Sequence, residues 1–375
     1  MAESTSGDKF EIPQDMARIL YEEGALLIIA GVPVGTEFGV DLSTNKVDEM
    51  FRGVKMIPPG THFVYTAAEG IYGDTAARVG FVHYFKKQEI VIREWDQNTE
   101  ELRHRSSANI ERDKARIREN LADLDKFLAP YDFQQLKKWQ QLSNEITEEV
   151  IARTEPECSG VIRSSAEFQS CSDADRPKGQ SPLTRPAKIR PNQTEDELLP
   201  NLKVVQGTAP RFTKIPALYP NSASPAEISE SHLDAIRAIE TYFSAFLDPF
   251  EAIREIQMSF ILFLCGCSVD ALAHWRKILG LLAKSDSAVS KFNCFYRRYL
   301  EILKIQLPEL PEELMMPTSN NTVYKDVRQL IINCSLGGLK DEADVFTAQL
   351  TSVMSWYFDD LFDENPEDLP VIVEI

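Results

Sequence analysis

The chain has 375 residues, 43% of them hydrophobic, and carries 40 basic against 58 acidic side chains, a formal charge of −18. That length holds two ordinary domains, and that hydrophobic share builds real cores, which excludes global disorder. The acid excess disfavours direct contact with nucleic acid, which needs a basic stripe, and disfavours anionic membrane surfaces equally.

The opening MAESTSGDKFEIPQ is polar, with neither a basic nor an apolar leader region, so no secretory signal is expected and residues 1–15 read as a polar arm. From residue 16 to about 95 the segments ALLIIAG, GVKMI, HFVYTA, RVGFVHYF and EIVIREW are short, β-branched or aromatic, and bounded by Gly or Pro. GVPVGTEFGVD and MIPPGTH read as turn-rich separators. This spacing predicts a compact antiparallel sheet or sandwich. Two helices follow. One is marked by Ile117, Leu121, Leu124 and Leu128, the other by Phe133, Leu136, Trp139, Leu142 and Ile146, with Pro130 between them. Residues 16–153 are therefore assigned to one β-rich domain with trailing helices.

Residues 154–208 are rich in Ser, Pro, Arg, Asp and Gln, and too few apolar groups recur there to offset the entropy of ordering the chain. They read as a flexible linker, with Ser164, Ser165 and Ser181 as phosphorylation candidates. Residues 209–358 are helical. SPAE at Ser224–Glu227 fits a capping box. Behind it, six apolar stripes run through Ile236–Phe246, Ile253–Phe263, Ala271–Leu282, Phe292–Ile302, Val323–Leu330 and Ala343–Trp356. Pro308 ends the fourth and Gly337–Gly338 ends the fifth. Short connections make this an antiparallel bundle or short solenoid. The apolar run IQMSFILFLCGC is too short to span a bilayer. Residues 359–375 form a tail with seven acidic and no basic residues, closing on PVIVEI. Pro370 starts an extended segment in which Val371, Val373 and Ile375 share one face and Ile372 and Glu374 the other. Such a strand either folds back on the chain's own sheet or adds to a partner's sheet edge.

Chemistry is sparse. The five histidines fall in no HExxH arrangement, there is no GxSxG, and no glycine cluster opens a helix as a phosphate loop. No CxxC pair exists, and Cys265 and Cys267 read as buried small hydrophobes at a helix end, in a chain of a reducing, intracellular compartment. His62 and His83, with Glu94 as a third ligand, outline a metal site or a cryptic enzyme; the alternative is that each histidine satisfies a local hydrogen bond. No catalytic residue, cofactor site or metal ligand is assigned. A general helical adaptor gripping varied peptides is a further reading.

LYEEGALLIIAGVPVGTEFGVDL with FRGVKMIPPGTHFVY resembles the opening of the Aar-two family of splicing factors. The likeness continues through GFVHYF, LDKFLAPYDFQQLKKW, RFTKIPALYP, SPAEIS, HWRKILGLL and the terminal PVIVEI, missing only the linker and the first dozen residues. The resemblance implies an α+β two-domain protein: a β-rich, sandwich-like N-terminal domain with two trailing helices, an all-α helical C-terminal domain, and an extended C-terminal tail. It implies a non-catalytic assembly factor of the U5 small nuclear ribonucleoprotein, cytoplasmic and nuclear. Such a factor holds the RNase H-like and Jab/MPN-like domains of the large splicing protein Prp-eight, excludes the Brr-two helicase until maturation, and is released by phosphorylation. Partner binding then falls on Pro370, Val371, Ile372, Val373, Glu374 and Ile375, with no direct nucleic-acid contact and no membrane.

Overall fold

The structure is a computed structural model that describes residues 14–70, 72–105, 110–158, 160–171, 202–220, 222–318, 320–358 and 361. They form two compact units. The first comprises residues through Gln135, Ile151–Arg211 and Cys265–Ala271; the second comprises Leu136–Val150, Phe212–Leu264 and the residues from Leu272 onward.

The first unit opens with helix α1 (Gln14–Glu23) and holds strands β1 (Ala25–Ala30), β2 (Glu37–Val40), β3 (Ser43–Lys46), β4 (Gly53–Ile57), β5 (Gly60–Ala67), β6 (Val79–Phe85), β7 (Ile90–Asp96) and β8 (Glu101–His104). Helices α2 (Ile110–Glu119) and α3 (Leu121–Leu124) and short strands β9 (Leu128–Pro130), β10 (Ile162–Arg163), β11 (Phe168–Ser170) and β12 (Leu202–Val204) complete it. Two five-stranded sheets result, ordered β8-β7-β1-β4-β9 and β10-β6-β5-β2-β3, beside a β11–β12 ribbon. The second sheet is antiparallel throughout. The first corrects the antiparallel expectation, because β1 runs parallel to β7 and β4 runs parallel to β9, while β1–β4 and β7–β8 are antiparallel. A parallel pair needs a crossover, and the chain between β1 and β7 supplies it by building the other sheet on the way.

Two glycines in the quoted motifs explain why those motifs read as they do. A side chain at Gly39 would stand 2.1 Å from the Tyr65 ring, and one at Gly53 would stand 1.9 Å from the Leu27 carbonyl oxygen. EFGV and FRGVK are therefore strands whose glycines admit a close neighbour, and the reading of GVPVGTEFGVD as a plain separator is corrected.

Residues 154–208 are also more structured than a linker. Val161, Ile162 and Ala166 are buried, β10 adds to β6, and β11 pairs with β12. Arg78 donates to the Cys265 carbonyl, Val269 N donates to Ser164 O and Ala166 N to Asp270 Oδ2, at 2.9, 2.7 and 2.7 Å. A few apolar residues placed on a waiting sheet edge suffice to order a segment whose average composition is polar. Residues 172–201 lie outside the described residues.

The second unit takes helix α4 (Leu136–Ser143) from the segment expected to trail the β-rich domain. Trp139 and Leu142 are fully buried, and the Gln257 amide, itself buried, donates to Gln141 O and Asn144 Oδ1 and accepts from Glu145 N. Arg298 adds an ion pair to Glu145. After α5 (Glu148–Thr154) come α6 (Pro225–Leu233), α7 (Ile236–Phe243), α8 (Phe250–Leu264), α9 (Val269–Leu282), α10 (Asp286–Lys291), α11 (Asn293–Gln306), α12 (Glu312–Met315), α13 (Thr322–Leu336) and α14 (Lys340–Met354). The Ser224 capping box forms in both directions. The helix expected to run from the Ser224 cap into the first stripe breaks after Leu233, where Asp234 turns extended and its carboxylate caps Ile236 N at 2.9 Å. An aspartate carrying its own cap competes with helix continuation. Gly337–Gly338 stops α13, with Gly338 at φ +91°. Cys265 is buried as expected; Cys267 is exposed at φ +52°, which corrects that part of the reading.

Candidate functional site

Three arrangements have the density of polar contact that marks a site. In the first unit, Asp41 opens the two-residue β2–β3 hairpin at φ +58°, a conformation aspartate tolerates better than most side chains. Its Oδ1 accepts from Phe63 N at 2.9 Å. Its Oδ2 accepts from Tyr131 Oη at 2.6 Å and lies 2.6 Å from His62 Nδ1. The far nitrogen of His62 is 2.8 Å from the Pro58 carbonyl. Burial, then the Asp41 charge, pushes the Tyr131 phenol far above its ordinary value. Every oxygen and ring nitrogen here is engaged, and Asp41, His62 and Tyr131 are all buried. The buried Cys265 thiol lies within the field of the same carboxylate, and burial, then the Asp41 charge, pushes it well above its ordinary value. The cluster positions backbone.

In the second unit, Glu255 is wholly buried on α8 and collects Thr213 N at 2.9 Å, Thr213 Oγ1 at 2.8 Å and His274 Nε2 at 2.9 Å. Phe212 stacks on His274 at 4.3 Å and 7°. RFT and HW, two pieces of the quoted motifs, are thus halves of one clasp. Beside it, Trp275 is buried and donates to Gln306 Oε1, as its place on the α9 stripe predicts.

The third arrangement is the root of the tail. Trp356, expected within the last helix, instead follows a left-handed turn at Ser355. It is fully buried and its indole donates to Met315 O at 2.6 Å. Tyr324 stacks on Phe358 and its hydroxyl donates to Tyr357 O, while Thr351 Oγ1 donates to Trp356 O. Two aromatic side chains and three hydrogen bonds fix residues 356–358 immediately before the acidic segment.

Pro370, Val371, Ile372, Val373, Glu374 and Ile375 lie outside the described residues, as does Ser181. Ser164 is half-buried and Ser165 exposed, between the Arg163–Glu101 ion pair and the Asp270 carboxylate that caps Ala166. His62 and His83 sit directly opposite each other across β5 and β6, but each turns to its own carboxylate, Asp41 and Glu89, and Glu94 is exposed on the other sheet. Among the described residues, no three His, Cys, Asp or Glu side chains converge as a metal site. The three clusters join residues up to 90 positions apart, as with Tyr131 and Asp41, so spacing along the chain carried no signal for them.

Comparison with known proteins gives two matches along the chain. Residues 23–156 match the family model described as the AAR2 N-terminal domain, and residues 212–359 match the AAR2 C-terminal repeat region. The chain is similar to the protein AAR2 homologs of Mus musculus and Homo sapiens, at 33% and 32% identity, each alignment covering 97% of both chains. The homolog of Caenorhabditis elegans is 26% identical over 92% of this chain and 98% of its own.

Proposed function

The chain belongs to the AAR2 family, and from that premise we propose that it is a non-catalytic placeholder in U5 particle assembly that holds Prp-eight and keeps the Brr-two helicase away until maturation. The supporting observation is the fixed root at Trp356 and Phe358. A strand anchored at one end to a folded unit meets its target at an effective concentration set by the tether, which strengthens binding without new contacts. The seventeen residues from Asp359 to Ile375 reach at most about 55 Å when fully extended. Within that reach, Pro370–Ile375 offers backbone donors and acceptors to a partner's sheet edge, and alternate apolar side chains give the register.

Occupying surface that the helicase shares lowers the helicase's apparent affinity by mass action. Phosphorylation of an already acidic chain weakens such an interface by like-charge repulsion and desolvation, with Ser164, Ser165 and Ser181 as the places to look. The test is binding of the full chain, and of a chain ended after Asp368, to the isolated RNase H-like and Jab/MPN-like domains of Prp-eight. Loss of the last seven residues is expected to weaken binding by at least about a hundredfold, the scale on which tethered second contacts act. Equal affinity of the two chains sinks the proposal.

A further inference from the structure

Arg93 is a buried charge that no hydrogen bond or ion pair satisfies among the described residues. It lies on β7 on the face that alternates with Ile90, Ile92 and Glu94, and it is only 4% exposed. Its guanidinium rests over the Phe81 ring at 4.0 Å. Its Nε is enclosed with no hydrogen-bond partner, and the side chain makes no ion pair among the described residues. Burial lowers its pKa to about 10, against a weaker upward pull from Glu155, with which it shares no hydrogen bond.

The other carboxylates of this region are engaged or turned away. Glu101 binds Arg163, Asp96 binds Arg103, Glu89 binds His83, and Glu94 is exposed on the opposite face of β7. His104 is the register partner of Arg93 on β8, so the two side chains share a face. His104 is exposed, and its ring makes no hydrogen bond among the described residues. An enclosed guanidinium that no hydrogen-bonded carboxylate satisfies destabilises a fold, and replacing it by an apolar group of similar volume is commonly stabilising. Its presence therefore points to a charge that arrives from outside.

We propose that Arg93 and His104 form a binding site for a carboxylate on the β-rich unit. The planar fork of arginine matches a carboxylate's two oxygens, and the ring of His104 adds a donor at the rim. One uncompensated positive charge, with Glu155 nearby, matches a single negative charge. A dianionic phosphate would leave surplus negative charge beside Glu155. The site is separate from the tail-borne contact proposed above, and its test does not use that contact.

The experiment uses the full chain with labelled arginine and histidine, acetate as the probe, and inorganic phosphate as the control, at constant ionic strength. The Arg93 Nε–H and His104 ring resonances are expected to move saturably with acetate and less with phosphate. In Arg93→Met the His104 response to acetate is expected to vanish, and in His104→Ala the Arg93 response is expected to weaken by about threefold, the scale of one neutral hydrogen bond. Arg93→Met is also expected to raise the melting temperature by about 2 °C, as removal of an unanswered buried charge should. A melting temperature that falls, or a variant that does not fold, shows Arg93 already compensated within the chain and overturns the proposal. So does acetate that moves neither resonance, and a stronger response to phosphate overturns the carboxylate assignment.

Discussion

Asp41 and Glu255 are two buried carboxylates that each meet two donors and a histidine, yet they close different kinds of structure. Asp41 gathers its donors from β5 and from Tyr131, ninety positions along the chain, and holds a hairpin turn in the left-handed region while doing so. Glu255 draws two hydrogen bonds from a single residue, Thr213, on extended chain that arrives beside α8. The first hub fixes the register of strands that already pair through their backbones. The second supplies hydrogen bonds to a segment that no ladder provides for. The same side-chain chemistry is reinforcement in a sheet and substitution for secondary structure beside a helix.

Removing the hubs tests that contrast. Asp41→Ala strands three buried donors and puts alanine at φ +58°, so a loss of about 4–5 kcal/mol is expected in urea unfolding. Glu255→Ala strands the Thr213 and His274 donors without a backbone penalty, and about 3–4 kcal/mol is expected. Hydrogen exchange separates the two: Thr213 N should lose protection in the second variant, while Phe63 N, flanked by a ladder, should keep part of its protection in the first. Equal loss at both amides would remove the distinction between reinforcement and substitution.

Tyr131→Phe takes one donor from Asp41 and leaves two, so about 1–2 kcal/mol is expected. The same variant sharpens a pH test. Burial raises the phenols of Tyr131, Tyr296 and Tyr299 above the ordinary value near 10, so the folded chain keeps protons that the unfolded chain releases. The stability they contribute is fully present at neutral pH and is lost as pH rises above about 10. Phenolate absorbance should show fewer than the eleven tyrosines of the chain ionising until it unfolds, and Tyr131→Phe should make the alkaline loss shallower. Ionisation of all eleven near pH 10 in a folded chain would contradict the burial of these three.

How much was legible follows from which interactions are local. Five strands, the capping box at Ser224 and the glycine stop after Leu336 were readable because each is specified by neighbours within a few residues. The helix break at Asp234 was missed because the stripe of Ile236 and Ile239 masked a short polar residue able to cap itself. The short strands β8, β9 and β10 were missed because two to four residues carry too little periodicity to count, and they exist through edges built elsewhere in the chain. Of the sites, the tail was the one read along the chain, from its charge and its β-branched end, and its Pro370–Ile375 segment lies outside the described residues. Arg93 was read as one more polar residue of EIVIREW, since nothing along the chain shows that its charge is left without a partner.

The sequence by itself determined the two-part composition, the helical stripes, the acidic tail and the family, because hydrophobic period, turn chemistry and motif identity are written in order along the chain. Only the tertiary structure decided which unit takes Leu136–Val150, which edge orders Ile162, and which buried carboxylate answers His62 and His274. Those choices depend on groups that meet across tens of residues once water has been excluded, where an unpaired donor is expensive and a paired one holds the fold.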